Sequence, residues 1–231
     1  MKKFGFLVFL LALIGGLIAA NSSSFGRIGG SFLNFKVGSE QGSGRVASEI
    51  REISDFHGVD VGGVFQVEIT AQKGHSVEIE ADDNLLPLIT TKVRNGILTI
   101  STERKLSTEN PLRIRISAPD IDSLDVSGTA KVSLVGLQNE SISIDSSGAS
   151  RVRVTGETAK LTTDVSGATQ IDAQELQAAN ANIEASGASR VDVNVTGELR
   201  TDASGASKIT YSGTPSSLQT KRSGASSVSQ R

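Results

Sequence analysis

Cysteine is absent from all 231 residues. That removes disulfide frameworks, thiolate metal sites and cysteine nucleophiles at one stroke. Tryptophan is absent too, and of eight phenylalanines six (Phe4, Phe6, Phe9, Phe25, Phe32 and Phe35) precede residue 36. Beyond that point Phe56, Phe65 and Tyr211 are the only phenylalanine or tyrosine residues. A core so poor in aromatics must be built from Val, Ile, Leu, Ala and Thr, which suits thin, regularly stacked layers. Charge of one sign is also lacking, with a net of -2. Removal of Lys2 and Lys3 with a leader would make it -4 (-2 minus 2). Nothing basic enough for a nucleic-acid surface is present. Two histidines, His57 and His75, offer no metal-ligand spacing, and Gly-x-Ser-x-Gly, P-loop and His-Glu-x-x-His motifs are missing.

The one long apolar run is Phe4 to Ala20, preceded by Met1-Lys2-Lys3 and followed by Asn21-Ser22-Ser23-Ser24. This is the layout of a secretory signal peptide, with an uncleaved N-terminal anchor as the alternative at this length. Either predicts an exported protein of the periplasm, cell surface or extracellular space. Residues 21–45, rich in Gly and Ser, read as a flexible linker. From Val46 to Arg231 the chain reads as one domain.

Period-2 alternation marks strands in Val64-Phe65-Gln66-Val67-Glu68-Ile69, Val77-Glu78-Ile79-Glu80 and Leu112-Arg113-Ile114-Arg115-Ile116. Gly62-Gly63, Lys73-Gly74, Asn95-Gly96 and Ala118-Pro119-Asp120 mark turns between them. Only Asn84 to Ile89 looks like a helical turn.

Ser-Gly followed by Ala or Thr recurs with its glycine at 128, 148, 167, 187, 205 and 224, at intervals of 20, 19, 20, 18 and 19 residues. A fixed period near 19 with no helix inside it predicts a solenoid of strands. Four residues after the glycine stand Val132, Val152, Ile171, Val191, Ile209 and Val228. Six before it, from the second copy on, stand Ile142, Leu161, Ala181, Leu199 and Leu218. Stacked about 4.8 Å apart, such residues form continuous apolar columns. The expected fold is therefore all-β: a parallel β-helix of roughly 19-residue coils, preceded by less regular β coils.

The outward positions form ladders as well. Asp125, Asp145, Asp164, Glu184 and Asp202 precede the glycine by three residues, and Lys221 closes the series. Lys131, Arg151, Gln170, Arg190, Lys208 and Ser227 follow it by three. Stacked acids repel one another, so a basic ladder across the corner is expected to relieve them. The serine before each glycine is expected to bond the turn backbone. Lys221 with Arg222 is expected to blunt the last strand's edge.

Several of these segments, taken in order, resemble one family. They are Val59-Asp60-Val61-Gly62-Gly63-Val64-Phe65-Gln66-Val67-Glu68-Ile69, Arg94-Asn95-Gly96-Ile97-Leu98-Thr99-Ile100, Ser117-Ala118-Pro119-Asp120-Ile121 and the recurring Asp-Val-Ser-Gly corners. The chain from about residue 50 to 231 is similar to the putative auto-transporter adhesin head GIN domain, a family of exported bacterial proteins. The resemblance implies a right-handed β-helix and supplies no catalytic residue and no cofactor. The expected function is a non-enzymatic structural or adhesin-like module of the cell envelope or surface. Its outer basic ladder, Lys131, Arg151, Arg190 and Lys208, is the candidate contact for an envelope or extracellular polymer or protein. The Asp ladder as a Ca²⁺ site is the weaker reading, because the Gly-Gly-x-Gly-x-Asp repeat is missing. The competing class is a polysaccharide lyase or hydrolase on a β-helix, which needs paired carboxylates or a Lys/Arg base in a groove and, usually, aromatic platforms for sugars.

Overall fold

The computed structural model describes residues 38–231; the expected signal peptide or anchor, residues 1–20, and residues 21–37 of the expected linker lie outside the described residues. At each Ser-Gly-Ala corner the chain passes from a first sheet into a second. On the first, Ser123–Gly128 pairs in parallel with the second half of Lys131–Ser146. The second halves of Arg151–Val165 and Gln170–Ala185 follow, then Glu198–Ala203 and Ser217–Arg222. On the other sheet the first halves of the same long strands stack in turn. They are continued by Arg190–Val195, Lys208–Ser212 and Ser227–Gln230. A third, short side is made by Leu137 to Asn139, Gly156 to Thr158 and Leu176 to Ala178, reached through register shifts after Leu134, Arg153 and Ala173. This is a parallel β-helix.

The expected inward columns exist, residue beside residue. Val132, Val152, Ile171, Val191, Ile209 and Val228 form one, and Ile142, Leu161, Ala181, Leu199 and Leu218 another. They are buried until the last repeat, where Leu218 is 45% exposed and its strand has one neighbouring strand among the described residues. Every residue of Ser217–Arg222 is exposed. Among the described residues the strand that carries Lys221 and Arg222 pairs along one edge only.

The coils before the repeat are stacked out of chain order. Gly58–Gly63 lies between Ile97–Thr102 and Ser123–Gly128, and Gln66–Thr70 lies between Arg113–Ser117 and Lys131–Ser146. The coil formed by residues 58–70 is thus inserted between two coils that follow it in sequence. Beyond residues 97–117 the stack changes to antiparallel pairing. Ile89–Arg94 pairs with Ile97–Thr102, Ser76–Asp82 with Arg113–Ser117, and Val46–Ile50 with Ser76–Asp82. The first of these hairpins turns at Asn95 and Gly96, with φ of 52° and 76°, the positive pair that a two-residue hairpin favours. Leu86–Leu88 is the expected helical turn. Parallel coils cannot return directly on themselves, so these antiparallel strands cap the end that the repeat leaves open.

One inward column is polar. Two residues after successive corner glycines stand Ser150, Thr169, Ser189 and Ser207, all buried. The Ser150 and Ser146 hydroxyls lie 2.6 Å apart, and Thr169 donates to the Ser166 carbonyl at 3.0 Å. The Ser189 and Ser207 hydroxyls are buried and have no hydrogen-bond partner among the described residues. The serine before the glycine behaves differently from expectation. Ser127 and Ser186 donate to Val61 and Val165 carbonyls of the neighbouring coil, at 3.5 and 3.3 Å, and not to their own turn.

Candidate functional site

The acid ladder is longer than the repeat. The inserted coil places Asp60 beside Asp125, giving a column of Asp60, Asp125, Asp145, Asp164, Glu184 and Asp202 that ends in Lys221. The basic column on the second sheet runs Arg113, Gln66, Lys131, Arg151, Gln170, Arg190, Lys208, Ser227. All four residues singled out in the sequence, Lys131, Arg151, Arg190 and Lys208, thus stand on one outer face.

The two columns do not neutralise each other. Among the described residues no ion pair joins them. The corner explains this correction. Ser146 and Ser150 touch inside the turn, so the chain folds back sharply and carries Asp145 and Arg151 onto the outer faces of different sheets. The basic column finds partners within its own sheet, or none. Arg190 grips Asp192 through two hydrogen bonds of 2.7 and 3.1 Å, and Arg151 Nε donates to Gln170 at 3.2 Å. Among the described residues Lys131, Arg151 and Lys208 have no ion-pair partner.

The acids bear the cost of lying together. Burial, then the neighbouring Asp60 and Asp145 carboxylates, push the Asp125 carboxyl above its ordinary range. Burial, then Asp164, does the same to Asp145. A folded value above the unfolded one means that ionisation opposes folding. Stability from this source is fullest below the unfolded value and is lost as pH rises through the folded one. Asp145→Asn is therefore expected to stabilise the fold at pH 7 by roughly 0.2–1 kcal/mol, the range for opposed like charges. The gain shrinks to nothing toward pH 3, below the ordinary aspartate value of about 3.9. Urea titrations of both proteins at the two pH values measure it, and an equal gain at both would attribute it to packing instead of charge.

A groove of about 930 Å³ opens at the foot of the basic column. Val64, Phe65, Leu106, Pro111 and Leu112 give it apolar walls, while Gln66 and Lys131 of the column and Lys105 add polar and charged groups. Its far wall, residues 102–112, is pinned from below by Asp82. That buried carboxylate accepts from Thr108 Oγ1 and Asn110 Nδ2, each at 2.6 Å. These two bonds, Thr108's first, hold it below the usual carboxylate range. One residue of this groove was conspicuous in the sequence. Val64 falls on the outward phase of the alternation yet is apolar, and it is 67% exposed.

A second hollow of about 620 Å³ lies on the third side, lined by Gln138, Asn139, Glu157, Thr158 and Gln177. The histidines are tied into the framework. His57 Nδ1 lies 2.8 Å from Asp122 Oδ1, and His75 Nε2 lies 2.8 Å from the Phe56 carbonyl. No cluster of His, Asp and Glu able to hold a metal ion occurs among the described residues.

Comparison with solved structures agrees on the architecture. A putative adhesin from Bacteroides fragilis superposes with a TM-score of 0.68 at 18% identity, over 84% of this chain and 100% of its own. A putative adhesin from Parabacteroides distasonis gives a TM-score of 0.50 at 18% identity, over 83% of this chain and 99% of its own. At such identities the likeness establishes the fold alone. Among curated proteins none matches the chain. The family model described as "Putative auto-transporter adhesin, head GIN domain" matches residues 55–215, a span that holds the inserted coil, the groove and five of the six corners, and the chain belongs to that family.

Proposed function

We propose that this protein is an exported, non-enzymatic, adhesin-like module that meets an anionic envelope or extracellular polymer on the outer face of its second sheet. One observation carries the reading: among the described residues Lys131, Arg151 and Lys208 stand in a single column without ion-pair partners, and the column runs into the groove beside Val64. A rigid ladder fixes the spacing of the cations, so meeting a regular anionic chain orders their side chains without rearranging the backbone, and the flanking groove adds apolar contact. The basic run Met1-Lys2-Lys3 ahead of the apolar run 4–20 supports export. Against catalysis on sugars stands the burial of Phe56 and Phe65, which removes them as stacking platforms.

Binding of the full-length chain to an immobilised polyuronate, in mild detergent and at low salt, tests the reading. The triple variant K131E/R151E/K208E is expected to bind at least about tenfold more weakly, since exposed charge contacts carry up to about 1 kcal/mol each and reversal converts attraction to repulsion. Unchanged binding would remove this face from consideration. Release of unsaturated sugars from the polymer would instead identify a lyase.

A further inference from the structure

We infer that the two charged columns are docking surfaces for a second copy of this chain, the acid column of one molecule lying along the basic column of the next. Both columns are built by the same coils, so both repeat at the same rise of about 4.8 Å. Alignment level by level places Asp125, Asp145, Glu184 and Asp202 of one copy opposite Lys131, Arg151, Arg190 and Lys208 of the other. The two remaining acids, Asp60 and Asp164, then face Gln66 and Gln170, whose amides donate to carboxylates. Where the basic column lacks a cation it therefore supplies a neutral donor. The reversed alignment about Gln170 also brings four acids opposite four bases and sets no like charges together.

The corner is what reserves these charges for another molecule. It holds the two columns on different sheets, so neither can satisfy the other within one chain. Arg190 keeps N–H groups beyond the two it gives Asp192. Among the described residues neither Asp125 nor Asp145 has an ion-pair partner, and burial first, then the neighbouring carboxylates, raise the proton affinity of both. A surface that meets a different surface of its copy makes a heterologous contact, and such contacts extend into rows unless a rotation closes them. An anionic polymer would satisfy the basic column but leave the acids facing one another.

Absence of cysteine makes the test direct. Full-length Asp145→Cys is mixed, in mild detergent, with full-length Arg151→Cys, Arg190→Cys or the third-side control Gln138→Cys, and a short bismaleimide is added. The expected product is a heterodimer with Arg151→Cys or Arg190→Cys, at least about fivefold above the control. It should fade between about 0.01 M and 1 M salt, as the screening length falls from about 30 Å to about 3 Å. Equal yields with all three partners would overturn the inference. Charge reversal supplies the second arm. D125K/D145K/D202K and K131E/R151E/K208E are each expected to stay monomeric alone and to associate when mixed. A wild-type chain that stays monomeric at low salt, while its polyuronate binding depends on Lys131, Arg151 and Lys208, would overturn self-docking and leave the polymer reading standing. Intact self-association without polyuronate binding would do the reverse.

Discussion

Gly167→Val is expected to cost about 2–6 kcal/mol of folding stability, against nothing measurable for Gly74→Ala. Gly167 has φ +77°, where a β-branched residue is strained by about 1–3 kcal/mol. Its added Cβ would also stand 2.5 Å from the carbonyl oxygen of Gly148 in the coil below. That oxygen has no freedom to retreat, because it accepts the Ala168 N–H at 2.8 Å. Moving it breaks a bond between coils; leaving it forces an overpacking cost of about 1–3 kcal/mol. The same geometry recurs down the column, with Cβ-to-oxygen distances of 2.4 Å at Gly148, 2.6 Å at Gly187 and 2.7 Å at Gly205. The corner is thus a stack of glycines in which each leaves room for the next. Because each coil contacts chiefly its neighbours, position along the axis should matter. Gly224→Val meets its oxygen at 2.8 Å in a coil whose first strand is wholly exposed, so that coil can fray and the loss should be smaller. Gly74, with nothing within 4 Å of its Cβ position, is the control. Urea midpoints for the three variants decide the matter, and a Gly167→Val midpoint equal to that of Gly74→Ala would refute the glycine stack.

What the sequence revealed and what it hid divide along one physical line. A repeat advertises its own register: equivalent residues share an environment, so Val132 and Val152 align on the page as they do in the sheet. Inward and outward columns were legible for that reason, as were the Asn95-Gly96 hairpin and the single helical turn. Spatial order is a different matter. No local property of residues 58–70 says that they will lie between two later segments, so Asp60 could not be recognised as a rung of the acid column. Alternation likewise marks a strand without giving its direction, which is why the antiparallel cap read only as less regular coils. The charge ladders were visible but wrongly paired, since six residues of separation says nothing of how sharply a corner bends. The inward hydroxyls of Ser150, Thr169, Ser189 and Ser207 were in plain view in Ser-Gly-Ala-Ser, yet polarity argued for the outside. The basic column of the candidate site was therefore readable residue by residue. Its groove was not, because one wall, residues 102–112, has no regular pattern to read.

Phe65→Ala and Val64→Ala, one residue apart, are expected to fail in opposite ways. Phe65 is 2% exposed and is among the largest fully enclosed side chains of a core made mostly of aliphatics. Its ring edge lies 3.1 Å from where a Cβ on Gly63 would stand, so the first corner closes directly upon it. The backbone on either side joins two coils: Gln66 N–H donates to Leu112 and Lys131 N–H donates to the Phe65 carbonyl, at 2.9 and 2.8 Å. Truncation should cost about 3–5 kcal/mol, the usual range for a phenylalanine whose cavity cannot collapse. Collapse is resisted here because the inserted coil is held by hydrogen bonds on both edges. Val64→Ala removes only solvent-facing surface and should stay within about 0.5 kcal/mol of the parent in stability. Val64 nevertheless lines the groove beside Lys131, so its loss should weaken polyuronate binding in a protein that is fully folded. Denaturant titration and binding, measured on both variants at a temperature where each is folded, separate the two roles. Equal stabilities would place Phe65 outside the core, and unchanged binding in Val64→Ala would confine recognition to the basic column and exclude the groove.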